Sequence, residues 1–237
     1  MTSWPAGYGR KDYAELDSTN EEARRLAEAG EAGPLWIMAT RQTAGRGRRG
    51  RAWDMGAGNL AATLLLRPQA PQAVAGQLSF AAALAVAEMV QHFAPRAAVT
   101  SKWPNDVLAE GSKIAGILLE GGTGWLAIGI GVNLAHHPEG LPATSLPGLG
   151  LAPPTCDAAL TVLAARLSRW YDAWMKEGFG TLRAAWLKRA SGLGAPITAR
   201  LPNETRHGLF EGIDASGALL LNEQGRVRAI AAGEVFF

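Results

Sequence analysis

Residues 41–53 read RQTAGRGRRGRAW, five arginines and three glycines in one short stretch that closes on Trp53. Guanidinium forks match the paired oxygens of carboxylates and phosphates, and glycines let a backbone bring its N–H groups close to a ligand. The stretch is suited to holding an anion. A solvated basic face or a nucleic-acid patch has the same composition. Gly45 to Gly50 also fits G-x-G-x-x-G, but that fingerprint needs a helix opening inside it. Residues 51–58 show no helical apolar period and are cut by glycines, and no G-x-x-x-x-G-K-[ST] occurs.

The elements around this stretch must hold it. Residues 35–40 and 59–66 are apolar runs that read as strands, so the arginines sit on a loop between two buried strands. Residues up to Lys11 carry no clear signal, and 13–16 read as a short strand. Residues 17–22 open a helix, with Ser18 and Glu21, or Thr19 and Glu22, spaced as a capping box. Ser18, Thr19 and Asn20 either cap that helix or face a ligand beside the arginines. Gly30 ends it.

Residues 72–93 predict one long helix, apolar nearly all round and therefore set deep against a sheet. A strand at 97–100 follows. Pro104 forces Trp103 extended, leaving Asn105 and Asp106 on a strand edge or an Asx turn. Residues 112–120 and 125–134 are strands, the first opening with Lys113 and carrying Gly116, the second carrying Gly129 and Gly131. Glycines on neighbouring strands imply a narrow apolar slot or close packing by helices. Residues 136–154 form a long proline- and glycine-containing loop, a lid or a linker, with both histidines facing solvent and no zinc-type spacing. Helices are expected over 157–176 and from Phe179 through Leu187. From Gly192 short strands alternate with turns at 214–217 and 222–225, as in a small β-barrel.

The chain has 237 residues, 48% of them apolar, enough for a sizeable core plus a small second domain. A net charge of +2 is too small for a general polyanion binder. The lone Cys156 excludes an internal disulfide and reads as structural. The N-terminus has no signal-peptide pattern, and the apolar run 78–87 is too short to span a bilayer. A soluble, cytoplasmic protein without membrane contacts is expected.

Five motifs in order carry a resemblance: Ser18-Thr19-Asn20; Gln42 through Gly45-Arg46-Gly47-Arg48 to Arg51 and Trp53; Lys102-Trp103-Pro104-Asn105-Asp106; Lys113 through Gly116 to Glu120; and Gly129-Ile130-Gly131-Val132-Asn133. From about Asp17 onward the chain resembles the biotin–protein ligases. The resemblance implies an α+β fold: a class II synthetase-like mixed sheet with flanking helices over 1–190 and an SH3-like barrel over 191–237. It implies that biotin and ATP, with Mg2+, give biotinyl-5′-AMP, and that a lysine of a carboxylase's biotin carboxyl carrier domain then takes the biotin.

In that reading Lys113 and Arg48 are catalytic. Ser18, Thr19, Asn20, Gln42, Gly45, Arg46, Gly47, Arg48, Lys113, Gly116, Gly129 and Gly131 hold biotin. Arg48, Arg51, Trp53, Asn105, Asp106 and Asn133 hold ATP or the adenylate, and no residue is a dedicated metal ligand. Cations aimed at two repelling anions lower the barrier between them. No covalent nucleophile is needed. Seventeen residues before Ser18 leave no room for a winged-helix domain, so nucleic acid is not an expected partner; a homodimer is compatible. The loop expected to act as a lid has no Phe, Tyr or Trp to stack on adenine. The rivals are a lipoate or octanoyl transferase, which shares the catalytic fold, and a nucleic-acid module built on the arginines.

Overall fold

The structure is a computed structural model and describes residues 2–53 and 56–237. Asp54 and Met55, within the segment read as non-helical, and Met1 lie outside the described residues.

Seven strands form one sheet: β1 (Gly9–Leu16), β2 (Leu35–Gln42), β3 (Leu60–Leu66), β4 (Val99–Lys102), β5 (Asp106–Ala109), β6 (Ser112–Gly122) and β7 (Trp125–Val132). Their order is β1-β2-β3-β7-β6-β5-β4. Only β1 and β2 run parallel; every other neighbouring pair is antiparallel. β3 is an interior strand, paired on both sides and buried along its whole length, as a strand apolar on both faces must be.

Strand alternation divides the sheet's two faces. Trp36, Leu64, Ile128 and Ile130 join the main core under α3 (Leu78–Phe93), which α4 (Cys156–Glu177) and α5 (Phe179–Leu187) back. On the other face Ile37, Leu65 and Ala127 pack against Ala23 and Ala27 of α1 (Thr19–Glu28). The same parity puts Thr63 and Gly129, register partners, beneath the start of α1.

Three expectations need correction. Residues 72–93 are two helices, α2 (Gln72–Ala75) and α3, not one. Gly76 weakens the helix there, and the chain tightens into i to i+3 bonds: Gln77 N–H to Val74 O at 3.0 Å and Phe80 N–H to Gln77 O at 3.0 Å. Taken together, 72–93 is long and apolar enough to cross a bilayer, but 67% of its most apolar window is buried inside the fold. Secondly, Ser18 occupies the N-cap of α1 with extended backbone, yet its side chain makes no capping bond. Glu21 and Glu22 turn instead to arginines and to Tyr13. Thirdly, the loop after β7 is pinned rather than free. Lys113 N–H donates to Pro142 O at 2.9 Å, Thr144 N–H donates to Lys113 O at 2.8 Å, and Thr144, Ser145 and Leu146 are buried. Both histidines ahead of it are exposed, as expected.

A second, five-stranded antiparallel sheet follows: β8 (Pro196–Arg200), β9 (Thr205–Ile213), β10 (Leu219–Glu223), β11 (Arg226–Ile230) and β12 (Glu234–Phe236), ordered β11-β10-β9-β8-β12. Aromatic edges join it to the first unit. Phe80 of α3 meets Phe179 and Trp186 with centroids 5.2 and 5.4 Å apart, and Trp186 meets Phe210 of β9 at 6.5 Å. Trp103 Nε1–H donates to Gly217 O at 3.0 Å.

Candidate active site

The arginine loop leaves β2 and folds into a small hairpin. Arg46 bridges Ala52, Gly47 N–H donates to Arg51 O at 2.7 Å, and Trp53 N–H donates to Gly45 O at 2.9 Å. Arg49 and Gly50 both take positive φ, 58° and 71°, as a type I′ turn requires. Gly45 is needed where it stands: a Cβ there would lie 2.7 Å from Trp53 O and 2.9 Å from Gln42 Nε2.

The hairpin's arginines part company. Arg46 reaches inward, with Nη2 2.9 Å from Glu21 and 3.2 Å from Glu120. Its hydrogen bond to Glu21 outweighs the opposing effect of burial and raises its pKa further. Arg48 is half-buried and donates to Asn105 Oδ1 at 3.1 Å and to Gly233 O at 3.4 Å. Burial, then the charge of Arg49, lowers its pKa, so this cation lacks full compensation. Arg51 lies 2.7 Å from Glu234 of β12, with two-thirds of its side chain exposed, and Arg49 approaches the same carboxylate at 3.8 Å.

Beside the hairpin, β6 and β7 make the floor. Gly116 and Gly131 are register partners, and the Trp53 indole lies on both: a Cβ would come 3.1 Å from Trp53 at Gly116 and 2.5 Å at Gly131. Lys113 Nζ stands 5.5 Å from the Trp53 ring centroid and 2.6 Å from Asp106 Oδ1. That contact is ionic and not a directed hydrogen bond, since Oδ1 has no partner at hydrogen-bonding angles. Trp53 Nε1 is buried and also unpartnered among the described residues.

At the far end of the floor lies a buried polar patch. Thr19 N–H and Oγ1–H both donate to Gln42 Oε1, at 2.8 and 3.1 Å. Asn20 Nδ2 donates to Glu120 at 2.8 Å and to Leu118 O at 3.3 Å. Gly129 leaves the room that Asn20 takes; any Cβ there would collide with the amide. Ser18 is buried beside them.

The structure therefore brings Ser18, Thr19, Asn20, Gln42, Gly45, Arg46, Gly47, Arg48, Trp53, Asn105, Asp106, Lys113, Gly116, Gly129 and Gly131 around one floor. Two expected residues sit differently. Arg51 leans out onto the second sheet. Asn133 is buried and spends its amide on Thr144 O at 3.1 Å and Lys113 O at 3.5 Å, pinning the following loop. The glycines expected to leave a slot are covered by Asn20 and Trp53. Sequence reasoning gave Glu21 only a place in a capping box and assigned no role to Glu120, Thr63 or Glu234. Glu120 closed the lysine-strand motif, and Thr63 is the only hydroxyl in an aliphatic strand; Glu234 carried no signal, being 183 residues from its partner Arg51.

A converging ammonium and guanidinium beside a polar patch can hold two anions around one apolar group. A sequence profile of the biotin/lipoate A/B protein ligase family matches residues 14–134, and one of the biotin protein ligase C-terminal domain matches 192–237. The chain is 46% identical to the biotin–[acetyl-CoA-carboxylase] ligase of Paracoccus denitrificans, over 94% of this chain and 98% of that protein. The chain belongs to the biotin/lipoate ligase family. It is also similar to the biotin–[acetyl-CoA-carboxylase] ligase of Mycobacterium tuberculosis, at 35% identity over 94% of this chain and 86% of that one. Among solved structures, the biotin protein ligase of Aquifex aeolicus in complex with biotin and ATP superposes with a TM-score of 0.85 at 27% identity, covering 96% of this chain and 97% of that one. The family fold accounts for the large mixed sheet with flanking helices and for the C-terminal antiparallel unit.

Proposed function

We propose that this chain is an ATP-dependent ligase that converts biotin to biotinyl-5′-AMP and passes it to a lysine of a biotin carboxyl carrier domain. The observation that carries this reading is the convergence of Lys113, Arg48 and Asp106 on a glycine floor, next to a buried patch built by Ser18, Thr19, Asn20 and Gln42. In the first step a biotin carboxylate oxygen attacks the α-phosphorus of ATP and pyrophosphate leaves. Lys113 and Arg48 supply the positive charge that offsets repulsion between the two anions. In the second, the carrier lysine's amine attacks the acyl carbon, AMP departs with the bonding pair, and the amine loses its proton.

Ser18 and Gln42 offer donors to the ureido carbonyl, Gly45 and Gly47 allow close backbone approach, and Arg46 braces the hairpin against Glu21 and Glu120. Trp53 covers the valeryl chain and the adenylate. Asn105 and Asp106 face the nucleotide, while Arg51 acts by tying the hairpin to Glu234 and Asn133 through the loop that it pins. Magnesium supplies charge on the phosphates. The ion would be held mainly by phosphate oxygens, with Asp106, beside Lys113, as the carboxylate that would approach it. Residues 1–190 form the catalytic domain and 191–237 the SH3-like domain, and the reaction belongs in the cytoplasm.

Biotin-dependent ATP–pyrophosphate exchange tests this reading. Exchange is expected with biotin and not with lipoate; exchange with lipoate alone would overturn it.

A further inference from the structure

Thr63 lies in the middle of β3, fully buried, and its hydroxyl joins two branches of the polar patch. Thr63 Oγ1 is 2.8 Å from Thr19 Oγ1 and 2.7 Å from Asn20 Oδ1. Gln42 Oε1 accepts the Thr19 amide at 2.8 Å, and the Thr19 hydroxyl lies within reach of both Gln42 Oε1 and Thr63 Oγ1, at 3.1 and 2.8 Å. Both Nδ2 protons of Asn20 are taken by Glu120 and Leu118 O. Asn20 Oδ1 is therefore an acceptor, and the Thr63 hydroxyl is its donor, with the Thr19 hydroxyl in hydrogen-bond contact beside it. With Oε1 held by the Thr19 amide, the Gln42 carboxamide presents Nε2 outward, next to Gly45.

We propose that Thr63 is a positioning residue for the acyl substrate's head group. It holds the Thr19 and Asn20 side chains, and so the start of α1, where the Thr19 amide turns the Gln42 carboxamide with its donor outward. A donor there recognises a planar carbonyl acceptor such as a cyclic urea, and offers nothing to an apolar dithiolane. Without the hydroxyl, Asn20 Oδ1 is a buried acceptor lacking a donor and Thr19 Oγ1 loses its nearest partner. Both side chains are then released to turn, and the Gln42 amide loses its fixed direction. The proposal rests on the reading of this patch as the biotin head-group site.

The experiment compares wild type, Thr63→Val and Thr63→Ser by pyrophosphate exchange, with biotin and ATP varied separately. Thr63→Val is nearly isosteric and removes only the hydroxyl. It is expected to raise KM for biotin at least tenfold while leaving KM for ATP within twofold. Thr63→Ser is expected to bring the biotin KM back to within about threefold of wild type. An unchanged biotin KM in Thr63→Val, or equal rises for both substrates that serine fails to restore, would overturn the proposal. Should the valine variant not fold, Thr63→Ala against Thr63→Ser isolates the same hydroxyl, and equal biotin KM values would overturn it. A wild type inactive with biotin would instead overturn the functional reading.

Discussion

Arg46 and Arg48 are two residues apart yet serve different neighbours, because Arg46 lies in the hairpin's paired strand, bridged to Ala52, whereas Arg48 opens the turn made by Arg49 and Gly50. Arg46 is spent on Glu21 and Glu120, whereas among the described residues Arg48 has Asn105 and a backbone carbonyl as its hydrogen-bond partners. Arg48 is therefore the guanidinium with charge to give to a ligand. Arg48→Gly is expected to shorten the lifetime of enzyme-bound adenylate at least tenfold, because a loosened hairpin no longer shields the anhydride from water. Single-turnover formation and release of the intermediate measure this, and wild-type retention would contradict it. Lys113→Ala is expected to reduce pyrophosphate exchange at least a hundredfold with an unchanged melting temperature. Near-normal exchange would remove Lys113 from the chemistry. The lysine and the arginines were legible in the sequence because catalytic cations cluster in short motifs. Thr63, Glu21 and Glu120 were not, since their roles come from register and packing across the sheet.

At the scale of elements, the hairpin is fastened at both ends. Its base hangs from β1, with Thr43 N–H on Leu16 O and Ala44 N–H on Asp17 O, and its tip rests on β12 through Glu234. Burial pushes the Glu234 carboxyl up, but Arg51, with Arg49 and Arg48, brings it below its ordinary value of 4.5. A carboxyl lowered in the folded state contributes above its ordinary pKa and loses that contribution as pH falls through the lowered value. The tie is therefore intact at neutral pH and released only below about pH 4.5. Glu234→Gln is expected to raise KM for ATP several-fold with a smaller effect on biotin, and to abolish this tie's share of the acid sensitivity. Equal KM values in variant and parent would contradict it. Strands with strong apolar runs, such as β3 and β7, were legible from sequence. β5 was not, being four residues long, and neither was the break at Gly76, which depends on how the chain tightens onto α3.

On the scale of the whole molecule, the second unit braces the site from one side, through Gly233 and Glu234. Phe80, Phe179, Trp186 and Phe210 interlock across the junction, and Trp103 reaches Gly217 from the turn that also carries Asn105. Trp186 is 1% exposed, so Trp186→Ala is expected to cost about 3–5 kcal/mol and to lower the melting temperature by several degrees. A shift under two degrees in a circular-dichroism melt would show that the junction contributes little. The order of the elements implied two units, but their docking rests on contacts such as Trp186 with Phe210 and Trp103 with Gly217, which no local pattern encodes. The most direct measurement is the intact mass of an apo biotin carboxyl carrier domain after incubation with this protein, biotin, ATP and magnesium. The carrier should gain the mass of one biotinyl group and nothing when ATP is withheld; a carrier of unchanged mass, or one modified equally well without ATP, would contradict the assignment.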